Sequence, residues 1–103
     1  MSAEVKRSKD TFTATTRDLS EGGAGIECDR ALVDGEAVVL GLFLVVDGVE
    51  DERNPPLWVR GLVAWCGESD DGMTYTAGVR FDVITDDQKT WLRRVLSVIQ
   101  AKT

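Results

Sequence analysis

A short glycine-rich stretch carries the side chains of this sequence that are best suited to bind a ligand. Asp18 and Ser20 lie two residues apart, and glycines follow at positions 22, 23 and 25. Short acidic and hydroxyl side chains satisfy backbone amides in turns, and they also reach outward to hydrogen-bond ligands. Glycine permits a positive φ and lets a second backbone or a ligand approach closely. The stretch therefore indicates a turn between two strands that either caps itself or binds a small polar ligand.

Positive charge is concentrated near the N-terminus, although the chain as a whole is acidic. Its 103 residues have a net charge of −6 and a pI near 4.5. That balance argues against a DNA- or RNA-binding protein, because such proteins bind phosphates mainly through basic residues. Lys6, Arg7 and Lys9 nevertheless lie close together, and Arg17 follows them. A local basic cluster of this kind is compatible with a small anionic ligand.

The composition gives little support for catalysis or metal binding. The chain contains no histidine, and its two cysteines are Cys28 and Cys66. Two cysteines cannot complete the tetrahedral shell of a zinc ion. Without histidine, neither Ser20 nor a cysteine has an evident general base. We therefore expect buried reduced thiols, no metal, no cofactor and no enzymatic activity.

The hydrophobic pattern predicts a series of strands followed by one helix. The predicted strands cover residues 11–17, 24–28, 36–46, 57–66 and 73–81. The third is long, and we expect it to bend at Gly41. Thr85 and Gln88 form a capping box that starts a helix over residues 85–101. This order predicts an all-β fold in which antiparallel strands form a small barrel or sandwich beside one C-terminal helix.

The length of the chain is that of one domain. Residues 1–10 are polar and show no periodicity, so we expect a flexible segment there and a barrel domain over residues 11–103. The longest apolar run, from Ala37 to Val46, is shorter than the roughly 20 residues that a membrane helix needs. No signal-peptide pattern is present at the N-terminus. These features predict a cytoplasmic protein with no membrane insertion.

Three patches of the sequence together resemble the PilZ domain family, whose members sense cyclic di-GMP. The patches are Asp18–Gly23, which fits Asp-x-Ser-x-x-Gly, then Leu62–Trp65, and finally Tyr75–Phe81, which ends in Gly-Val-Arg-Phe. They occur in the family's order and precede a helix. The resemblance covers the chain from about Phe12 to its end. It implies an antiparallel β-barrel of six strands, or five, with a C-terminal helix.

The resemblance is incomplete at the N-terminus. Nucleotide-binding PilZ domains usually carry an upstream Arg-x-x-x-Arg motif, whose arginines stack on guanine and hold phosphates. No pair with this spacing occurs here, because the residue four positions after Arg7 is Thr11 and the residue four positions after Lys6 is Asp10. Little more than ten residues precede the strand that contains Phe12. We therefore expect the first strand of the family to be shortened, replaced or missing.

The resemblance implies a signalling module that binds cyclic di-GMP and regulates motility or surface behaviour through a protein partner in motility or pilus machinery. It assigns Asp18 and Ser20 to a guanine edge and Gly23 to close backbone approach. Arg7 is the candidate for the stacking arginine, and Arg17 adds positive charge. The alternative is a degenerate PilZ domain that binds no nucleotide and serves as a protein–protein docking module.

Two tryptophans bear on that alternative. In the predicted strand over residues 57–66, Trp58 and Trp65 point to opposite faces. At least one indole is then expected at the surface, where an exposed tryptophan marks a contact site.

Overall fold

The computed structural model describes residues 1–43, 45–46, 49–50, 56–82 and 84–101. Its elements, in chain order, are β1 (Ser2–Lys6), β2 (Thr11–Leu19), β3 (Gly23–Cys28), β4 (Ala37–Phe43), β5 (Val45–Val46), β6 (Val49–Glu50), β7 (Leu57–Glu68), β8 (Tyr75–Phe81) and α1 (Asp86–Ala101). Most of the acidic stretch over residues 47–56, for which a loop was predicted, lies outside the described residues.

Six antiparallel strands close into a barrel in the order β1-β2-β3-β8-β7-β4. Every second side chain of these strands points inward, and residues such as Ile26, Leu40 and Val59 are almost completely buried. Burial of this apolar surface is the main force that stabilises the fold. The prediction of a six-stranded antiparallel barrel with a C-terminal helix is confirmed.

The barrel is closed by a strand in the region for which a flexible segment was predicted. β1 pairs with β2 on one side and with β4 on the other, and Val5 lies opposite both Phe12 and Leu40. Val5 is 0% exposed, and Ala3 is also buried. Residues 1–10 are therefore a structural part of the barrel, and its first strand is present. The pattern was too short to reveal this, because β1 contributes only these two inward side chains.

An ionic cluster fixes the hairpin between β1 and β2. The Arg7 guanidinium donates two hydrogen bonds to the Asp10 carboxylate, at 2.6 and 2.8 Å, and its side chain is only 5% exposed. Arg30 donates a further bond to Asp10 at 3.0 Å. Both guanidinium groups also lie about 5 Å from the centroid of the Phe12 ring. The hydrogen bond from Arg7 lowers the pKa of Asp10 from 3.8 to about 2.

This cluster predicts a specific loss of stability in acid. Because the pKa of Asp10 is lower in the folded state, its contribution to stability is complete above about pH 4 and is lost as the pH falls through 2. In urea unfolding at pH 6 and pH 2, Asp10→Asn should therefore lose less stability than the wild type. Asp70→Asn, which changes an exposed turn carboxylate, should behave like the wild type. An equal loss for Asp10→Asn and the wild type would contradict the prediction.

The helix closes one end of the barrel. The predicted capping box is present: the Thr85 amide donates to Gln88 Oε1 at 2.9 Å, and the Gln88 amide donates to Thr85 Oγ1 at 3.2 Å. Trp91, Leu92 and Val95 are buried in the same cluster as the inward side chains of the strands. None of the described residues forms a helix that is long and apolar enough to cross a membrane.

The predicted long strand over residues 36–46 is divided between two sheets. β4 belongs to the barrel, whereas β5 pairs with β6 in a separate two-stranded sheet. Gly41 lies within β4 and does not mark its end. A Cβ atom at Gly41 would lie 2.6 Å from the Trp58 ring, so the glycine provides space for that indole.

Both cysteines are free thiols in the barrel wall. Cys28 Sγ donates to the carbonyl oxygen of Arg30 at 3.1 Å, and Cys66 Sγ accepts a bond from the Leu32 amide at 3.3 Å. Burial raises the pKa of Cys28, which keeps this thiol protonated. Within the described parts of the chain, no group of three or more Cys, Asp or Glu side chains is placed to hold a metal ion.

Candidate functional site

Asp18 points to the outside of the barrel because of a bulge in β2. Thr16 pairs with Ile26 and Asp18 pairs with Gly25, so Arg17 is an extra residue between them. Such a bulge reverses the faces of the residues that follow it. The Asp18 carboxylate lies over Gly25 and accepts a hydrogen bond from its amide at 3.1 Å. A Cβ atom at Gly25 would lie 2.6 Å from Asp18 Oδ2, so this arrangement needs glycine there.

Ser20 organises the turn that follows β2. Its hydroxyl accepts a bond from the Gly22 amide at 3.2 Å and lies 3.3 Å from the Gly23 carbonyl oxygen, to which it donates. Neither Gly22 nor Gly23 has a positive φ. Gly23 is required for another reason: a Cβ atom there would overlap the carbonyl oxygen of Val79 on β8. The predicted self-capped turn between two strands is thus present, and Gly23 allows it to pack closely on β8.

Trp65 reaches the same outer surface through a second bulge. Val63 pairs with Val79 and Trp65 pairs with Gly78, so Ala64 is the extra residue in β7. The bulge turns Trp65 outward, whereas simple alternation placed it on the same face as the buried Val63. Its indole lies against Gly78, where any Cβ atom would overlap the ring, and it is 51% exposed. Both Trp58 and Trp65 are therefore surface residues.

The two bulges place these side chains in one row across four strands. Asp18, Gly25, Gly78 and Trp65 are successive partners on β2, β3, β8 and β7. The Asp18 carboxylate covers Gly25 and the Trp65 indole covers Gly78, so the two adjacent glycines give these side chains room to lie flat on the sheet. Bulges often lie beside functional sites because they redirect single side chains.

Arg80 adds a cation to this surface, and the sequence analysis did not identify it as a site residue. It pairs with Gly23 and lies two residues after Gly78 on β8, so its exposed side chain is on the same outer face. Among the described residues no carboxylate forms an ion pair with it. The strict alternation of β8 could have identified it from the sequence, because this alternation places Arg80 and Gly78 on the same face. Several of these side chains line one shallow depression together with Gly23. We call this surface the glycine platform, and it consists of Asp18, Ser20, Gly25, Trp65, Gly78 and Arg80.

The two arginines predicted to bind the ligand lie elsewhere. Arg7 precedes β2, whereas Ser20 follows it, and a nine-residue strand separates them by roughly 25 to 30 Å. Arg7 is also committed to Asp10 and is nearly inaccessible. Arg17 donates to Glu27 at 2.6 Å, which raises its pKa, and it lines a different depression with acidic side chains. Only Asp18, Ser20 and Gly23 of the predicted site residues are brought together.

The turn that contains Ser20 is attached to the helix. Arg93 of α1 donates a hydrogen bond to the Glu21 carboxylate at 2.7 Å. The Phe81 amide of β8 donates to the Gly22 carbonyl oxygen at 2.9 Å. An exposed ion pair therefore links the turn beside the glycine platform to α1.

The chemistry of the glycine platform suits a planar, anionic ligand. The carboxylate can accept hydrogen bonds from adjacent N–H groups of a heterocycle. The exposed indole offers a stacking surface for a flat ring. The guanidinium can bind a phosphate through two parallel hydrogen bonds.

Comparisons with known proteins identify the family to which this fold belongs. The chain matches the PilZ domain family over residues 1–97. Its fold is similar to the PilZ domain of YcgR from Escherichia coli, solved with c-di-GMP, with a TM-score of 0.77 and 15% identity over 98% of this chain and 82% of that one. It is also similar to the Bacillus subtilis inhibitor of motility MotI/DgrA, with a TM-score of 0.75 and 12% identity over 99% of this chain and 47% of that one.

A third similar structure is the MrkH–c-di-GMP complex from K. pneumonia, with a TM-score of 0.71 and 16% identity over 98% of this chain and 48% of that one. The chain thus spans about half the length of MotI/DgrA and of MrkH. No curated protein matches it in sequence. The family match covers nearly the whole described barrel and the helix, and the barrel closes in the way that the three sequence patches implied. This chain is a member of the PilZ domain family.

Proposed function

We propose that this chain is a signalling module that binds cyclic di-GMP at the glycine platform and transmits the binding to a protein partner. One observation carries the proposal: two bulges bring Asp18 and Trp65 onto the same outer face as Ser20 and Arg80, where each of the first two lies against a glycine. PilZ membership and neighbours solved with c-di-GMP support this choice of ligand.

In this proposal, Asp18 and Ser20 recognise one guanine. One carboxylate oxygen of Asp18 is held by the Gly25 amide, which fixes the orientation of the group. The second oxygen faces the neighbouring N–H donors of the guanine edge. A hydrogen bond to a charged group contributes about 1.5 to 3 kcal/mol, so this contact is a large part of the affinity.

Trp65 and Arg80 would take the two roles that the family's arginine pair has, stacking on a base and neutralising a phosphate. The indole stacks on a base, and stacking on an aromatic side chain contributes about 1 to 3 kcal/mol per base. Arg80, whose charge is not offset by an ion pair within the described residues, neutralises a phosphate. Stacking and charge would thus come from two residues, Trp65 and Arg80, whereas a single arginine can supply both.

In this proposal, nucleotide binding would be transmitted to the protein partner through α1. The Arg93–Glu21 ion pair joins the turn to the helix, so a ligand that displaces Glu21 also releases Arg93. MotI/DgrA is named as an inhibitor of motility, which supports a partner in motility or pilus machinery for the present chain.

Isothermal titration calorimetry with cyclic di-GMP at low salt tests the proposal. We expect saturable heat at micromolar protein and a binding constant that weakens with added salt. Ser20→Ala should weaken the binding, while Ser8→Ala, a matched change in the turn between β1 and β2, should leave it unchanged. Absence of heat with correctly folded protein would reject nucleotide binding.

A docking module without nucleotide remains the second candidate. It is favoured by the hydroxyl of Ser20, whose hydrogen bonds are already satisfied within the turn. A partner that is captured equally with and without cyclic di-GMP would support this candidate. A partner captured only with the nucleotide would exclude it.

A further inference from the structure

The turn that follows β2 carries an acidic side chain at the edge of the glycine platform. Glu21 lies between Ser20 and Gly22, which both line the depression, and neighbouring Cα atoms are about 3.8 Å apart. The Ser20 amide donates to the Gly23 carbonyl oxygen at 2.9 Å, which fixes the backbone of the turn. The Glu21 side chain is 47% exposed, so it can change its orientation without disturbing that backbone.

Arg93 reaches this acid from a firmly anchored part of α1. Its neighbour Leu92 is completely buried, and so is Val95, so the core holds the helix backbone at this point. Arg93 Nε donates to Glu21 Oε1 at 2.7 Å, while the arginine side chain is 68% exposed. The guanidinium is therefore held at the edge of the glycine platform and is accessible to a ligand.

The ligand of the proposed function needs more positive charge than the glycine platform contains. Cyclic di-GMP carries two phosphates, whereas the glycine platform contains one cation, Arg80, and one acid, Asp18. Arg7 and Arg17 are paired with other carboxylates away from this surface. Within the described part of the chain, the cation in contact with the turn that contains Ser20 is Arg93. Its charge is offset by Glu21.

We propose that Arg93 is a second phosphate-binding residue of the glycine platform, and that Glu21 competes with the phosphate for its guanidinium. An exposed ion pair contributes little to stability, so exchanging Glu21 for another anion costs little free energy. The pair makes one hydrogen bond, whereas a phosphate can accept two parallel bonds from a guanidinium. The exchange therefore favours the ligand, and the carboxylate of Glu21 lowers the affinity for it.

This inference rests on the proposed function, because it assigns a binding residue and its competitor to the same site. It also gives the ion pair between the turn and α1 a defined role. The phosphate takes over the guanidinium from Glu21, so α1 then contacts the ligand directly and no longer contacts the turn through this pair.

Calorimetric titration of the full chain with cyclic di-GMP, at about 0.15 M salt to screen distant charges, tests the inference. Glu21→Gln should tighten binding about five- to tenfold, because Arg93 is then free to bind the phosphate. Arg93→Gln should weaken binding about threefold. In the Arg93→Gln background, Glu21→Gln should change the affinity less than about twofold, because the two residues act as a pair.

Simple repulsion between Glu21 and an anionic ligand gives the opposite result in that background. Without Arg93 nothing offsets the carboxylate, so the tightening by Glu21→Gln would persist or grow. Two matched controls complete the experiment. Glu4→Gln removes the same charge on β1, which lies opposite β8 in the barrel, and Arg94→Gln removes the neighbouring cation of α1. Each should leave the affinity within about twofold of the wild type.

Two results would overturn the inference while cyclic di-GMP still binds. They are an affinity that Glu21→Gln leaves unchanged or lowers, and a tightening by Glu21→Gln that persists in the Arg93→Gln background. Either result rejects the role of Arg93 and leaves the other residues of the glycine platform in place. Absence of heat with the folded wild type rejects the proposed function itself. Because both side chains are exposed, urea unfolding should give these variants the midpoint of the wild type.

Discussion

Replacing Asp18 by asparagine should lower the affinity for cyclic di-GMP by about 10- to 100-fold. The substitution keeps an oxygen that can accept the Gly25 amide, so the strand pairing and the bulge are retained. It removes the negative charge and replaces the second carboxylate oxygen with an N–H donor, which faces the donors of guanine. Loss of a charge-assisted hydrogen bond of about 1.5 to 3 kcal/mol corresponds to this change in affinity. Calorimetric titration at low salt measures it.

Two companion variants show whether the effect belongs to the glycine platform. Arg80→Ala should also weaken binding, by about tenfold, and should reduce the dependence of affinity on salt because a phosphate contact is lost. Arg94→Ala removes an exposed charge from α1 and should change neither quantity. Equal affinities for the wild type, Asp18→Asn and Arg80→Ala would place the ligand elsewhere on the barrel.

Shortening Val5 to alanine should lower the free energy of unfolding by about 2 kcal/mol, because a fully buried side chain loses two methyl groups and leaves a cavity. Removing residues 1–6 should have a larger effect, since it opens the barrel between β2 and β4 and exposes two unpaired strand edges. Urea unfolding followed by tryptophan fluorescence measures both effects.

Ser8→Ala is the matched control, because Ser8 lies in the exposed turn that follows β1. It should leave the urea midpoint within experimental error of the wild type. If Val5→Ala and Ser8→Ala unfold at the same urea concentration, β1 is not an integral strand of the barrel in solution.

The parts of the fold that could be predicted from sequence are those specified by local patterns. The alternation of β8 and the capping box of α1 each depend on residues close together in the chain, and both are present as expected. β1 could not be predicted because its stability comes from pairing with β2 and β4. Residues 37–43 are far from β1 in sequence, so no local pattern reports that contact.

The candidate site was predicted only where a motif is contiguous. Asp18, Ser20 and Gly23 lie in one turn, and the structure keeps them together. Trp65 joins them through a bulge, and a one-residue register shift leaves no clear mark in the alternation of β7. Arg7 lies away from this turn because its partner Asp10 and the ring of Phe12 hold it at the other end of β2. Arg80 lies on a different strand, 60 residues after Ser20, so no contiguous motif connects it with the turn.

The most direct test of the glycine platform is a titration of the ¹⁵N-labelled chain with cyclic di-GMP, followed through the indole N–H resonances of its three tryptophans. Single Trp→Phe variants assign each resonance. We predict that the Trp65 indole resonance shifts and saturates, while that of Trp58, which lies over Gly41 near the other end of β7, stays in place. A Trp65 resonance that does not move at saturating nucleotide, or a shift confined to Trp58, would contradict the account.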